Sequence, residues 1–80
     1  MTYIATFFSH FGAVRFKKTC EKLGIPAQTM PVPRSLSSSC GICTKFEADS
    51  PCPAGSYSEE TEKVVLLTEN GYELIYKAEE

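Results

Sequence analysis

Four cysteines, Cys20, Cys40, Cys43 and Cys52, are the residues of this sequence best suited to chemistry, because a thiolate can act as nucleophile, redox centre or metal ligand. Cys40 is set apart by its surroundings, the run Pro33-Arg34-Ser35-Leu36-Ser37-Ser38-Ser39-Cys40-Gly41-Ile42-Cys43. Arg34 brings a formal positive charge, and Ser38 and Ser39 bring hydroxyl and amide donors. Gly41 permits close backbone approach or a positive φ beside the sulfur, so the loop has the makings of an anion-binding nest around a thiolate. A polar hairpin loop with an incidental cysteine would use the same residue types.

Cys40-Gly41-Ile42-Cys43 is formally a C-x-x-C, whose chemistry would be cycling between dithiol and disulfide. Here the pair leads into a predicted strand, where residues three apart face opposite sides. A Cys40/Cys43 disulfide therefore requires the pair to precede the strand proper. A four-cysteine metal site is the third chemistry. Such sites usually come from two paired knuckles, and only one pair exists, so no metal ligand is assigned and no cofactor is expected.

The elements that must hold this loop read as follows. Tyr3 to Phe8 is a continuous apolar run suited to a buried central strand. Ser9 offers an N-cap, and Ala13, Phe16, Cys20 and Leu23 recur at helical spacing. Gly24 at the left-handed C′ position, Ile25 closing on Cys20, and Pro26 mark the end of that helix. Residues 27–32 read as a short strand, and Pro31 and Pro33 suit it to a sheet edge. Ile42 to Phe46 is a third strand, and residues 47–57 are turn chemistry with Cys52 as a loop cysteine. Ser56 and Glu59 fit a capping box for a second helix with Val64 and Leu67 on its buried stripe, ending at Asn70-Gly71. Tyr72, Leu74 and Tyr76 alternate as a last strand. The order βαββαβ predicts one α+β domain over residues 1–80, a ferredoxin-like split βαβ fold with two helices on one face of an antiparallel sheet and the cysteine loop at 33–43. The β-branched pair Val64-Val65 would also suit a strand.

In that fold the loop carrying Cys40 lies beside Ser9, His10, Phe11 and Gly12. The first helix's positive end, its unpaired amides and Arg34 would all lower a thiol pKa from its reference of ~8.5. His10, the only histidine, either orients and protonates the sulfur or is a surface residue of the first turn.

Charge is segregated. Residues 1–45 hold six Lys/Arg against Glu21 alone, and residues 46–80 hold two lysines against nine acids, for a net charge of -2. Cys40 lies in the basic part, which favours an anion there. The acidic balance and the lack of a basic stripe interleaved with aromatics argue against nucleic-acid binding. No apolar stretch is long enough to span a bilayer and the N-terminus lacks signal-peptide grammar, so no membrane partner is expected and the location expected is cytoplasmic. In such a compartment cysteines are more often reactive than bridged.

The run Pro31-Val32-Pro33-Arg34-Ser35-Leu36-Ser37-Ser38-Ser39-Cys40-Gly41-Ile42, after a helix ending Lys22-Leu23-Gly24-Ile25-Pro26, resembles a family of small bacterial selenium/sulfur carrier-like proteins. The specific part is Pro-Arg-x-Leu-Ser-Ser-Ser-Cys-Gly, and the likeness extends over most of residues 1–76. The resemblance implies a carrier that holds a persulfide or perselenide on Cys40, with Arg34 and Gly41 in the matching motif. It implies a cysteine desulfurase-like donor and an acceptor protein as partners, and a carrier more than a stand-alone enzyme. The sequence departs from that family's pattern at Cys43, where the family has a small residue, and at residues 50–55. A second thiol could resolve a persulfide by attack, which keeps a thiol-disulfide redox protein in view. A metal-stabilised interaction module is the remaining alternative, and an apolar β-edge on so short a chain is compatible with a homodimer.

Overall fold

The computed structural model describes residues 1–36 and 40–78. Its organising element is the strand Thr2–Phe7 (β1), in which every side chain from Tyr3 to Phe7 is buried. A strand buried on both faces must satisfy its amides and carbonyls on both edges. After β1 the chain forms the helix His10–Lys22 (α1) and the strands Ala27–Pro31 (β2), Ile42–Glu47 (β3), Thr61–Thr68 (β4) and Gly71–Lys77 (β5). All strand pairings are antiparallel, in the order β2-β3-β1-β4-β5. β3 lies between β1 and β2, so α1 crosses over it, and the proline-bearing β2 takes a sheet edge as Pro31 predicts.

The ends of α1 follow from local chemistry. The Gly12 amide donates to the Ser9 hydroxyl at 3.2 Å. At the other end the Ile25 amide bonds the Cys20 carbonyl at 2.8 Å and the Gly24 amide bonds that of Glu21 at 3.1 Å, with Gly24 at φ +74°, which is a Schellman motif.

The ferredoxin-like βαββαβ expectation is wrong in its second half. The segment assigned to a second helix is β4, and the described residues form a five-stranded sheet with one helix. Two physical reasons explain the error. Thr61, Val64, Val65 and Thr68 are β-branched and lose rotamer freedom in a helix, whereas a pleated sheet accommodates them. β1 also needs a second neighbour, and β4 supplies it through the pairs Tyr3/Leu66, Ile4/Val65 and Ala5/Val64. Asn70-Gly71, read as a helix C-terminus, instead closes the β4-β5 hairpin opposite Thr68, with Gly71 at φ +124°.

The sheet separates two apolar clusters. On the helix side Tyr3, Ala5, Phe7, Phe46 and Val64 pack with Ala13, Phe16 and Cys20 of α1. The Tyr3 and Phe46 rings stack at 5.4 Å, and Phe16 meets Phe46 edge-on at 5.0 Å. The buried Thr44 hydroxyl donates to the Ala13 carbonyl at 3.0 Å, tying β3 to the helix. On the other side Ile4, Cys43 and Val65 form a smaller cluster roofed by Leu36, with Met30, Val32 and Tyr72 around it. No helix of the described residues is long and apolar enough to cross a membrane.

Candidate functional site

The segment joining β2 to β3 is closed at its base by the Val32 amide donating to the Gly41 carbonyl at 3.1 Å. Beyond that bond the chain turns at Pro33-Leu36, where the Leu36 amide bonds the Pro33 carbonyl at 2.9 Å. Leu36 then enters the cluster on the helix-free face, while Cys40 packs against the helix-side cluster. Leu36 and Cys40 therefore pack on opposite faces of the sheet. Ser38 and Ser39, expected to surround the sulfur, lie outside the described residues.

Cys40 is half-buried, and its thiol donates to the Ile42 carbonyl at 3.2 Å. That contact uses the sulfur's proton, so it belongs to the resting thiol, and an attacking sulfur has to turn away from it. Gly41 adopts φ +75°, and a Cβ added there would meet nothing within 4 Å among the described residues. The positive φ is therefore what this glycine supplies beside Cys40.

His10 reaches this loop, but through the backbone. Its Nε2 lies 2.7 Å from the Cys40 carbonyl oxygen, and because a carbonyl only accepts, Nε2 carries the proton. His10 thus fixes the main chain at Cys40 from the first turn of α1. Arg34 is exposed and has no ion pair among the described residues.

The helix terminus expected to favour a thiolate is occupied by a group that sequence reasoning missed. The Glu60 carboxylate accepts from the Ser9 hydroxyl at 3.1 Å and pairs with Arg15 at 3.1 Å. It sits so close over Gly12 that an added Cβ would come within 2.8 Å of the Glu60 Cβ and 3.0 Å of its Oε2. The positive end of α1 therefore already holds a carboxylate. Glu60 is 51 residues from Ser9 in sequence and was read as part of a helix of its own, so no spacing rule could have paired them.

The other three cysteines sit elsewhere. Cys43 is 0 % exposed, lies in the cluster under Leu36, and points to the face opposite Cys40. Burial first, and the neighbouring Cys40 second, push its thiol pKa up, so Cys43 is held protonated. Cys20 is buried on the inner face of α1, and burial, with Glu21 adding to it, pushes its thiol up to about 11. Cys52 lies half-buried in the segment after β3, beside the Tyr57 hydroxyl. The C-x-x-C is thus divided between the two sheet faces by the strand alternation that begins at Ile42. Among the described residues no three His, Cys, Asp or Glu side chains gather into a metal site.

Residues 2–53 match the model of the family described as "Putative Se/S carrier protein-like". The match takes in β1, α1, the cysteine loop and β3, and ends in the segment before β4. No curated protein and no solved structure matches the chain.

Proposed function

We propose, from the premise that this chain belongs to the selenium/sulfur carrier-like family, that Cys40 is the carrier atom's point of attachment. The observation that carries the reading is the division of the C-x-x-C. Cys40 stands in a loop at the end of the sheet, and the thiol that could discharge it is buried on the other face.

In the loading step the Cys40 thiolate attacks the outer sulfur of a donor persulfide. The donor's S–S bond breaks, its thiolate leaves with the bonding pair, and Cys40 retains an S–SH group. Delivery repeats the exchange with an acceptor thiolate attacking the outer sulfur of Cys40, so no external oxidant or reductant is consumed. With a perselenide donor the same attack leaves S–SeH. The donor is a cysteine desulfurase-like protein and the acceptor a second protein, and the thiol stands in the segment that joins β2 to β3.

What a carrier needs beyond a nucleophile is a loaded state that lasts. A persulfide on Cys40 is lost if Cys43 attacks the inner sulfur, which would expel hydrosulfide and leave a Cys40–Cys43 disulfide. Leu36 over Cys43, and the elevated pKa of that buried thiol, both oppose this reaction. The His10 hydrogen bond and the Gly41 conformation hold Cys40 where a partner can reach it.

The test is loading of Cys40→Ser and Cys43→Ser variants by a desulfurase and cysteine, followed by mass. Cys40→Ser is expected to take up no sulfur and Cys43→Ser to load at least as fully as the unaltered protein. Loss of loading on Cys43→Ser would refute the assignment and favour the two-thiol chemistry.

A further inference from the structure

Helix α1 turns Gly12, Ala13 and Cys20 into the core and leaves Phe11 63 % and Val14 42 % exposed on its outer side. Phe8, just before the helix, is 39 % exposed. Phe11 and Val14 are three apart and so are neighbours on the helix surface. Phe11 directly follows His10, whose ring is bonded to the Cys40 carbonyl. The large exposed apolar side chains of this helix face thus begin at the point where the helix grips the thiol loop. Adjacent large apolar side chains exposed beside a reactive loop mark a candidate interaction surface.

The rim of this patch is cationic. The Arg15 guanidinium lies over the Phe11 ring at 5.3 Å while paired with Glu60 at 3.1 Å, and Lys18 and Lys22 are exposed farther along the helix. Lys17 pairs with Glu21 at 3.6 Å, whereas Lys18 and Lys22 have no ion pair among the described residues. An apolar centre with a polar rim is the usual anatomy of a protein-binding surface, and the complement of a cationic rim is an apolar pocket bordered by carboxylates.

We propose that Phe11 and Val14, with Arg15, Lys18 and Lys22 around them, form the docking face for the sulfur-donating protein, whose surface presents an apolar pocket with an acidic rim. The proposal rests on the carrier reading of Cys40. Docking there brings a donor persulfide to the loop from the helix side, the side on which Cys40 packs and Cys43 does not.

The test compares two donors on the same chain. One is a persulfidated cysteine desulfurase, and the other is inorganic polysulfide, which needs no docking. With polysulfide, the Cys40 thiolate takes one sulfur from the chain end, and a polysulfide dianion one sulfur shorter leaves. The Phe11→Ser/Val14→Ser variant is expected to load from polysulfide at the unaltered rate and from the desulfurase about 10- to 100-fold more slowly, the range for loss of a central interface anchor. Lys18→Glu/Lys22→Glu, which leaves the apolar centre intact, is expected to slow only the desulfurase reaction. The unaltered protein should lose that reaction's rate advantage as salt rises from about 0.05 to 0.5 M. Equal desulfurase rates for the variants and the unaltered protein would overturn the docking face. So would unaltered protein that loads from polysulfide and not from the desulfurase. A chain that takes sulfur from neither donor would overturn the carrier reading, and the docking face with it.

Discussion

Replacing Leu36 by alanine should convert Cys43 from a protected thiol into a reactive one. Leu36 is only 9 % exposed and roofs Ile4, Cys43 and Val65, yet it belongs to a loop, so the covering is removable without unfolding the sheet. Truncating a buried leucine costs about 2–5 kcal/mol, and a site at the end of a sheet, free to collapse, falls near the lower figure. If that loss of about 2 kcal/mol falls on the closed state of the loop, the population exposing Cys43 rises about 30-fold. The assay is site-resolved alkylation with iodoacetamide under native conditions, with Cys20 as an internal report on opening of the main core. In the unaltered protein Cys40 should label fastest, Cys43 far more slowly, and Cys20 slowest. In Leu36→Ala the Cys43 rate should rise about 30-fold. Cys43 labelling as fast as Cys40 before the change, or at an unchanged rate after it, would refute the account of Leu36 as the cover over Cys43.

Other consequences are equally direct. Gly41→Ala forces an L-residue into φ +75°, so it should cost about 1–2 kcal/mol by denaturant unfolding, with Gly41→Asn recovering part of the loss. His10→Ala deletes the bond to the Cys40 carbonyl; about 0.5–1.5 kcal/mol of loop anchoring should go, seen as faster amide exchange in the loop with little change in Tm. Cys20 carries a folded pKa of about 11 against an ordinary value of 9.0, so the folded chain holds this proton more tightly than the unfolded one. Stability is therefore complete below about pH 9 and should fall by about 2–3 kcal/mol as pH rises to 11, a decline that Cys20→Ala should flatten in part.

The parts of the fold legible in the sequence were those fixed by neighbours a few residues away. Ser9 as a cap and Gly24-Ile25 as a Schellman end depend on bonds spanning five residues or fewer, and both occur as the residue types require. Pro31 on an edge follows from a missing amide. The second helix failed because Ser56, Glu59 and Asn70-Gly71 obey helix grammar and hairpin grammar alike, and the deciding fact is nonlocal: β1 is buried on both faces and has a free edge that β4 fills. The loop shows the same contrast. Gly41 beside Cys40, and the opposed directions of Cys40 and Cys43, follow from backbone rules, whereas the grip of Leu36, the His10 bond to a carbonyl and the presence of Glu60 at the helix terminus come from chain segments brought together only by folding.

The central claim is that Cys40 alone holds the transferred atom while Cys43 stays out of reach. The most direct measurement is the intact mass of reduced, chelator-treated protein after incubation with a desulfurase and cysteine, with the modified peptide mapped. The account predicts one added sulfur, on the peptide containing Cys40, with Cys43 still a thiol. A loss of two hydrogens linking Cys40 to Cys43, with no sulfur retained, would contradict it.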